Sequence, residues 1–109
     1  MSPAAVSYTL RGVARSGRST TEKAIAPIAG IDPTSEDIAS QLGPLLAAIN
    51  RTEDAAGRPL LAAVVVGTDG LPGAAFFASA RELGLYGGSD DRAVWLRELR
   101  RVHGYWERH

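Results

Sequence analysis

One short apolar run constrains the fold of this chain more than any other part of its sequence. Residues 60–66, Leu-Leu-Ala-Ala-Val-Val-Val, carry no polar side chain and stop at Gly67. β-Branched residues pack well on a pleated surface, and a short apolar run closed by glycine-rich turns is typical of a buried strand. Segments with helical patterns lie on both sides of the run. We therefore predict one buried strand over residues 60–66 in a mainly helical chain.

The composition is that of an ordinary globular domain. The chain has 109 residues, of which 45% are hydrophobic and 22% charged. It has no cysteine, which excludes disulfides and thiol chemistry and is typical of a reducing cytoplasm. Its 12 basic and 12 acidic residues cancel, whereas nucleic-acid-binding domains usually have a basic excess. No apolar stretch approaches the ~20 residues of a membrane span. We predict a single cytoplasmic domain over residues 1–109, without a membrane partner.

Apolar side chains at three- and four-residue spacing predict helices around the strand. The predicted helices are residues 3–15, residues 22–29, a region that starts within 32–37 and runs to 56 with a division at Gly43-Pro44, a segment between Gly73 and Gly84, and a last helix that starts at Ser89-Asp90-Asp91. In the second of these helices we expect Ala24, Ile25 and Ile28 to face the core.

The order of these elements resembles a winged helix-turn-helix, in which a small sheet packs on three helices. By that resemblance residues 18–21 would be the first strand and residues 60–67 the first strand of the wing. Residues 17–26, Gly-Arg-Ser-Thr-Thr-Glu-Lys-Ala-Ile-Ala, also look like the strand-to-helix entry of the DNA-binding domain in alkylguanine alkyltransferase-like proteins. The resemblance covers residues 3–70 and implies a winged-helix-like part, followed by a helical extension over residues 72–109.

The chain departs from that family in two ways. It has no Pro-Cys-His-Arg motif, so no alkyl acceptor is implied, and residues 74–83 have a helical pattern where the family has a second wing strand. The step Pro72-Gly-x-x-Phe-Phe and the tryptophan-rich last helix are also similar to small uncharacterised proteins of actinobacteria and their phages, which implies no chemistry. The predicted fold class is α+β, mainly helical, with a winged-helix-like core, a small sheet and a C-terminal two-helix extension.

No residue pattern predicts catalysis. His103 has no oriented partner at a defined spacing, as a general base would need. The glycines of Gly67-x-x-Gly70-x-x-Gly73 are spaced too widely for a dinucleotide fingerprint and lie outside a βαβ unit, so they indicate a turn. We predict a non-enzymatic protein with no cofactor and no metal site.

Basic and aromatic residues supply the candidate binding sites. Arginines beside aromatic rings match the composition of protein-binding hot spots, and arginines also pair with phosphates. The structural alternatives are exposed helix faces with internal ion pairs and aromatic residues of the core. The candidates for a protein partner are Arg97, Arg101, Tyr105, Trp106 and Arg108, and those for nucleic acid are Arg11, Arg15, Arg18, Lys23, Asn50 and Arg51.

These residues lead to two hypotheses. The first is a binding module that acts as a protein–protein adaptor or inhibitor, of the kind found in phage–host or stress biology. The alternative is a winged-helix DNA-binding transcriptional regulator. Two features favour the protein partner. The net charge is zero, and the third helical region contains the acids Glu53 and Asp54, whose carboxylates would repel phosphates.

Overall fold

A computed structural model describes residues 3–87 and 90–109 of the chain. This part of the chain is mainly helical, with a small sheet, as the predicted fold class requires. The α-helices are α1 (Pro3–Arg15), α2 (Glu22–Ile25), α3 (Ile38–Ala55), α4 (Ala74–Glu82) and α5 (Asp91–Glu107). The strands are β1 (Thr20–Thr21) and β2 (Val65–Val66), and 3₁₀ helices cover Ala26–Ala29 and Leu61–Val64.

The sheet consists of β1 and β2, which pair in parallel. Thr20 lies opposite Val65 and Thr21 opposite Val66. Parallel strands need a long crossover connection, and here the chain between them contains α2, α3 and both 3₁₀ helices. Of the strand predicted over residues 18–21, only Thr20 and Thr21 are paired as a strand. After β2 the chain enters α4, so the helical prediction for residues 74–83 is confirmed.

The predicted strand over residues 60–66 is wrong for most of its length. Leu61–Val64 form a 3₁₀ helix, and the backbone is paired as a strand only at Val65–Val66. The expected burial is confirmed, because every residue from Leu60 to Val65 is buried. A buried strand would need a neighbouring strand to pair its N–H and C=O groups, and β1 reaches only the last two residues.

Side chains supply the missing partners of this buried backbone. Glu98 Oε2 accepts a hydrogen bond from the N–H of Leu60 at 2.8 Å. Asn50 Oδ1 accepts one from the N–H of Ala62 at 3.1 Å. Trp95 Nε1 donates to the carbonyl oxygen of Ala63 at 2.9 Å. The segment is therefore held by polar groups of α3 and α5 rather than by a sheet.

The helix predicted over residues 22–29 changes type halfway. It is α-helical to Ile25 and 3₁₀ over Ala26–Ala29, where Pro27 lies at the start of the 3₁₀ turn. The change of period turns Ile28 outward, so Ile28 and Ala24 are exposed, contrary to expectation. Ile25 is buried as predicted.

Helix α3 begins at Ile38, later than the start predicted within residues 32–37. The Asp32 carboxylate accepts hydrogen bonds from the backbone N–H and the hydroxyl of Thr34, at 2.9 and 2.8 Å, and so forms a turn of its own. The expected division at residues 43–44 is wrong, because α3 continues through Pro44. Pro44 has no N–H for the carbonyl of Ser40, four residues earlier, and Ser40 is exposed, so that carbonyl can face solvent.

The buried apolar residues form one cluster, to which α1, α3, α5 and the second 3₁₀ helix all contribute. The start of α5 is confirmed at Asp90, whose Oδ1 accepts a hydrogen bond from the N–H of Ala93 at 2.8 Å. Ser89, also predicted there, lies outside the described residues. Within residues 3–87 and 90–109, none of the helices combines the length and the apolarity that a membrane crossing requires.

Candidate functional site

Helices α1 and α5 pack against each other, and their contact gathers basic residues on one surface. The guanidinium carbon of Arg11 lies 5.0 Å from the centre of the Trp106 ring, and that of Arg15 lies 5.3 Å from it. Along the same seam, His103 Nε2 lies 2.9 Å from the carbonyl oxygen of Arg18. We call Arg11 and Arg15 beside Trp106, together with Arg18 in the segment that follows α1, the arginine face.

Trp106 is the platform of the arginine face. Only 6% of its surface is exposed, so the indole belongs to the core and is not a free anchor for a partner. Tyr105 packs edge-on against it, with ring centres 5.0 Å apart, and stacks on His109 at 3.9 Å. Cation–π contacts of this kind stabilise a guanidinium over the ring by about 0.5–2 kcal/mol. A partner that approaches Trp106 therefore meets Arg11 and Arg15.

Arg11 has a second partner in a buried carboxylate. Its Nη2 lies 3.3 Å from Oε1 of Glu53, and the other oxygen of Glu53 is paired with Nε of Arg58. Glu53 is 1% exposed, and a buried carboxylate needs partners of this kind to offset its lost hydration. Arg11 and Arg58 thus stabilise the fold, and Arg11 has fewer donors left for a ligand.

Three other arginines, on α1, just after α1 and at the end of α5, have donors that no described residue engages. Arg15 and Arg18 are exposed, and so is Arg108 at the C-terminal end of α5. None of the three side chains forms an ion pair or a hydrogen bond within residues 3–87 and 90–109. A guanidinium offers a planar fork of N–H groups that matches a carboxylate or a phosphate. This part of the surface can therefore bind an anionic group.

Two of the candidates on α5 are engaged within the chain. Arg97 Nη2 donates to the carbonyl oxygens of Leu85 at 3.1 Å and Tyr86 at 3.4 Å, which ties the loop before α5 to that helix. Arg101 Nη1 donates to Oε1 of the buried Glu98 at 2.6 Å. These contacts give Arg97 and Arg101 a structural role and leave them fewer donors for a partner.

The candidates for nucleic-acid binding on α3 lie away from the arginine face. Asn50 is fully buried and its side chain accepts from Ala62, so it cannot reach a base edge. Arg51 forms an ion pair with Glu82 of α4, with Nε and Oε1 3.5 Å apart. Lys23 is exposed on α2. The structure therefore does not unite Asn50 and Arg51 with the arginines of α1.

His103 does not lie at a groove of catalytic character. One groove of about 450 Å³ lies between α3 and α4, and another of about 480 Å³ lies beside α2; His103 lines neither. In the described part of the chain, no three His, Cys, Asp or Glu side chains converge as a metal site requires. The contact of His103 with the backbone of Arg18 links α5 to the end of α1.

Sequence reasoning missed the buried acids that organise these contacts. The expectation that Glu53 opposes phosphate binding requires an exposed carboxylate, yet Glu53 and Glu98 are both buried and hydrogen-bonded. The signal was present in the helical spacing. Glu98 lies midway between Val94 and Val102 on the apolar stripe of α5, and Glu53 follows Ile49 by four residues on that of α3.

Comparison of the chain with protein-family models, with curated proteins and with solved structures found no match. The function is therefore inferred from the side chains themselves.

Proposed function

We propose that this chain is a non-enzymatic binding module that docks an acidic segment of a protein partner on its arginine face. The observation that supports the proposal is the contact of Arg15 with Trp106. An exposed guanidinium is held 5.3 Å from the ring centre and has no carboxylate partner among the described residues. Such a group loses little conformational entropy on binding, and its N–H fork suits a carboxylate.

Two further exposed arginines lie close to these residues in the chain: Arg18 follows α1, where its carbonyl oxygen contacts His103 of α5, and Arg108 follows Trp106 by two residues. Complementary charges chiefly raise the association rate and select the partner, and they weaken with added salt. Because the net charge of the whole chain is zero, attraction must come from the local arrangement of these arginines. We therefore expect salt-dependent binding to an acidic segment, as in an adaptor or inhibitor.

Duplex DNA is the second candidate, since the same exposed arginines can pair with phosphates. Two observations favour the protein partner. Asn50, the residue best suited to contact adenine, is buried. Within the described residues, β2 leads directly into α4, so no second strand completes a wing.

Fluorescence anisotropy with two labelled probes tests the proposal. One probe is a flexible peptide rich in Glu and Asp, and the other is a short mixed-sequence DNA duplex. At about 50 mM salt we expect the acidic peptide to bind and the Arg15→Glu and Arg18→Glu variants to weaken it at least tenfold, with further loss at about 200 mM. Arg92→Glu is the matched control, because Arg92 is exposed in the first turn of α5, far along the helix from Trp106.

Three outcomes would count against the proposal. The first is binding of the duplex more tightly than the peptide, which would favour the DNA hypothesis. The second is equal loss in the Arg15 and Arg92 variants, which would mean that charge alone and not the arginine face is responsible. The third is the absence of peptide binding at low salt when circular dichroism shows a folded chain.

A further inference from the structure

A second surface, between α3 and α4, has the properties of a binding groove. The groove between α3 and α4 has a volume of about 450 Å³, within the usual range for ligand sites. Small residues, among them Gly43, Ala47, Ala75 and Ala78, line it. A Cβ atom at Gly43 would lie 3.4 Å from the Cβ of Ala75, so the two helices approach closely there. Short side chains leave the helix surfaces accessible along the rest of the seam.

A serine of α4 lines the groove, and its hydroxyl has no hydrogen-bond partner among the described residues. Ser79 of α4 lines the groove and is only 2% exposed. Its side chain forms no hydrogen bond with the described residues. A serine hydroxyl within a helix often donates to the carbonyl four residues earlier, and that of Ser79 does not. Ser79 is therefore available to a polar group of a molecule that enters the groove.

A carboxylate closes one end of the groove. A Cβ atom at Gly67 would lie 3.2 Å from Glu22 Oε1, and one at Gly73 would lie 3.1 Å from Glu22 Oε2, so these glycines leave the room that the carboxylate occupies. Glu22 has no ion pair and no side-chain hydrogen bond among the described residues. Burial, and after it the charge of Asp69, raise the pKa of Glu22. A cation beside this carboxylate would stabilise its ionised form and so oppose both causes of the raised pKa.

The dimensions of the groove suit an extended peptide. Its lining along α3 runs from Ala39 to Arg51, a distance of about 18 Å at the helical rise per residue. An extended chain covers that distance with about five residues. At the far end, Arg51 and Glu82 form an exposed ion pair that bounds the groove. A second groove of about 480 Å³ also ends at Glu22 and continues beside α2.

We propose that the groove between α3 and α4 binds an extended peptide segment of a protein partner, with a Lys or Arg side chain paired to Glu22 and small apolar residues between the helices. Charge complementarity selects this occupant. Glu22 and Asp69 are close enough to raise the pKa of Glu22, and neither forms an ion pair in the described chain. The apolar lining and the Ser79 hydroxyl then accommodate the small side chains and the backbone of the same segment. This site shares no residue with the arginine face.

Titration of the ¹⁵N-labelled chain with short capped peptides tests the proposal by NMR. The peptides consist of Ala, Val and Ser around one central Lys, and the comparison set has uncharged norleucine in place of Lys. We expect the amide signals of Gly43, Ala75 and Ser79 to shift with the Lys peptides. Glu22→Gln should weaken their binding at least tenfold and leave the norleucine peptides unchanged. The control is Asp54→Asn, an exposed acid of α3 outside the groove.

The proposal is overturned if no Lys peptide shifts these signals at several millimolar, or if Lys and norleucine peptides bind equally to the wild type. Shifts that depend on protein concentration without peptide would assign the groove to a second copy of this chain and would also overturn it. An Arg15→Glu variant should behave as the wild type in this titration. The outcome is thus independent of the acidic partner proposed for the arginine face.

Discussion

The carboxylate of Glu98 accepts a 2.8 Å hydrogen bond from the backbone N–H of Leu60, a residue 38 positions earlier in the chain. Its other oxygen accepts a 2.6 Å hydrogen bond from Arg101. One buried side chain of α5 thus accepts the first N–H of the buried apolar segment. Its charge is paired with that of Arg101, which is half-exposed. Glu98 therefore has a structural role, and its removal should lower the free energy of unfolding.

Glu98→Ala leaves the N–H of Leu60 buried without an acceptor, so we expect the free energy of unfolding to fall by about 2 kcal/mol. Glu98→Gln keeps an oxygen acceptor and should cost about half as much. Urea unfolding followed by tryptophan fluorescence measures both. Arg101→Gln removes only the half-exposed ion pair, and its cost should stay below about 1 kcal/mol. Equal losses for the Ala and Gln variants would contradict this role of the hydrogen bond.

The two arginines that share Glu53 should be coupled. Arg11→Met or Arg58→Met leaves the buried carboxylate one partner, whereas the double variant leaves it none. We expect the double variant to lose at least about 1 kcal/mol more than the sum of the single variants. A double-mutant cycle by urea unfolding measures this excess. Addition of Glu53→Gln should restore part of the loss, and strict additivity would show that the arginines act separately.

Gly12→Ala should stabilise the chain by about 0.5–1 kcal/mol, because alanine is a better helix former than glycine. Gly12 is exposed within α1, and a Cβ atom there would meet no atom within 4 Å. Gly17 is the matched contrast just beyond the same helix. Its φ of +69° is unfavourable for alanine, so Gly17→Ala should cost about 1 kcal/mol. Thermal unfolding compares the two, and changes of the same sign would refute the prediction.

Ionisation of Glu22 should oppose folding. Burial and Asp69 raise the pKa of Glu22, so the folded chain binds this proton more tightly than the unfolded chain does. The favourable contribution is complete below the ordinary pKa of about 4.3 and is lost as pH rises through the raised value. Glu22→Gln should therefore raise the denaturation midpoint at about pH 7, and the gain should shrink towards pH 4.

Asp32 provides the contrast of opposite sign for the same pH series. The backbone N–H and then the hydroxyl of Thr34 donate hydrogen bonds that lower the pKa of Asp32. Its ionised form is favoured by folding, so its contribution is present above the ordinary pKa of about 3.9 and is lost as pH falls through the lowered value. Asp32→Asn should lower the denaturation midpoint at neutral pH. Parallel pH profiles for the Glu22 and Asp32 variants would contradict both assignments.

The elements that could be predicted from the sequence are those whose causes lie within a few neighbouring residues. Helices α1, α4 and α5 follow from apolar spacing, and the start of α5 follows from the cap at Asp90. The same local rules predicted the wrong start for α3. The side chain of Asp32 accepts a hydrogen bond within a turn there and does not cap the helix. A short sequence motif does not distinguish a turn from a helix cap.

The buried apolar segment was predicted to be buried but not to be 3₁₀, because its conformation depends on distant partners. Asn50 lies 12 residues and Glu98 lies 38 residues from the N–H groups that they accept. In the candidate site, too, the residues could be predicted from the sequence but their arrangement could not. The sequence identifies arginines on α1 and the last helix, but only the packing of α1 on α5 places Arg15 over Trp106.

The hydrogen bonds from Asn50, Trp95 and Glu98 also have a consequence for the folding pathway. The segment Leu61–Val64 cannot complete its backbone hydrogen bonds until α3 and α5 are both in place. These contacts join residues 12, 32 and 38 positions apart, so they form only when distant parts of the chain have come together. We therefore expect the amide protons of Leu60 and Ala62 to exchange with solvent only when the whole chain opens.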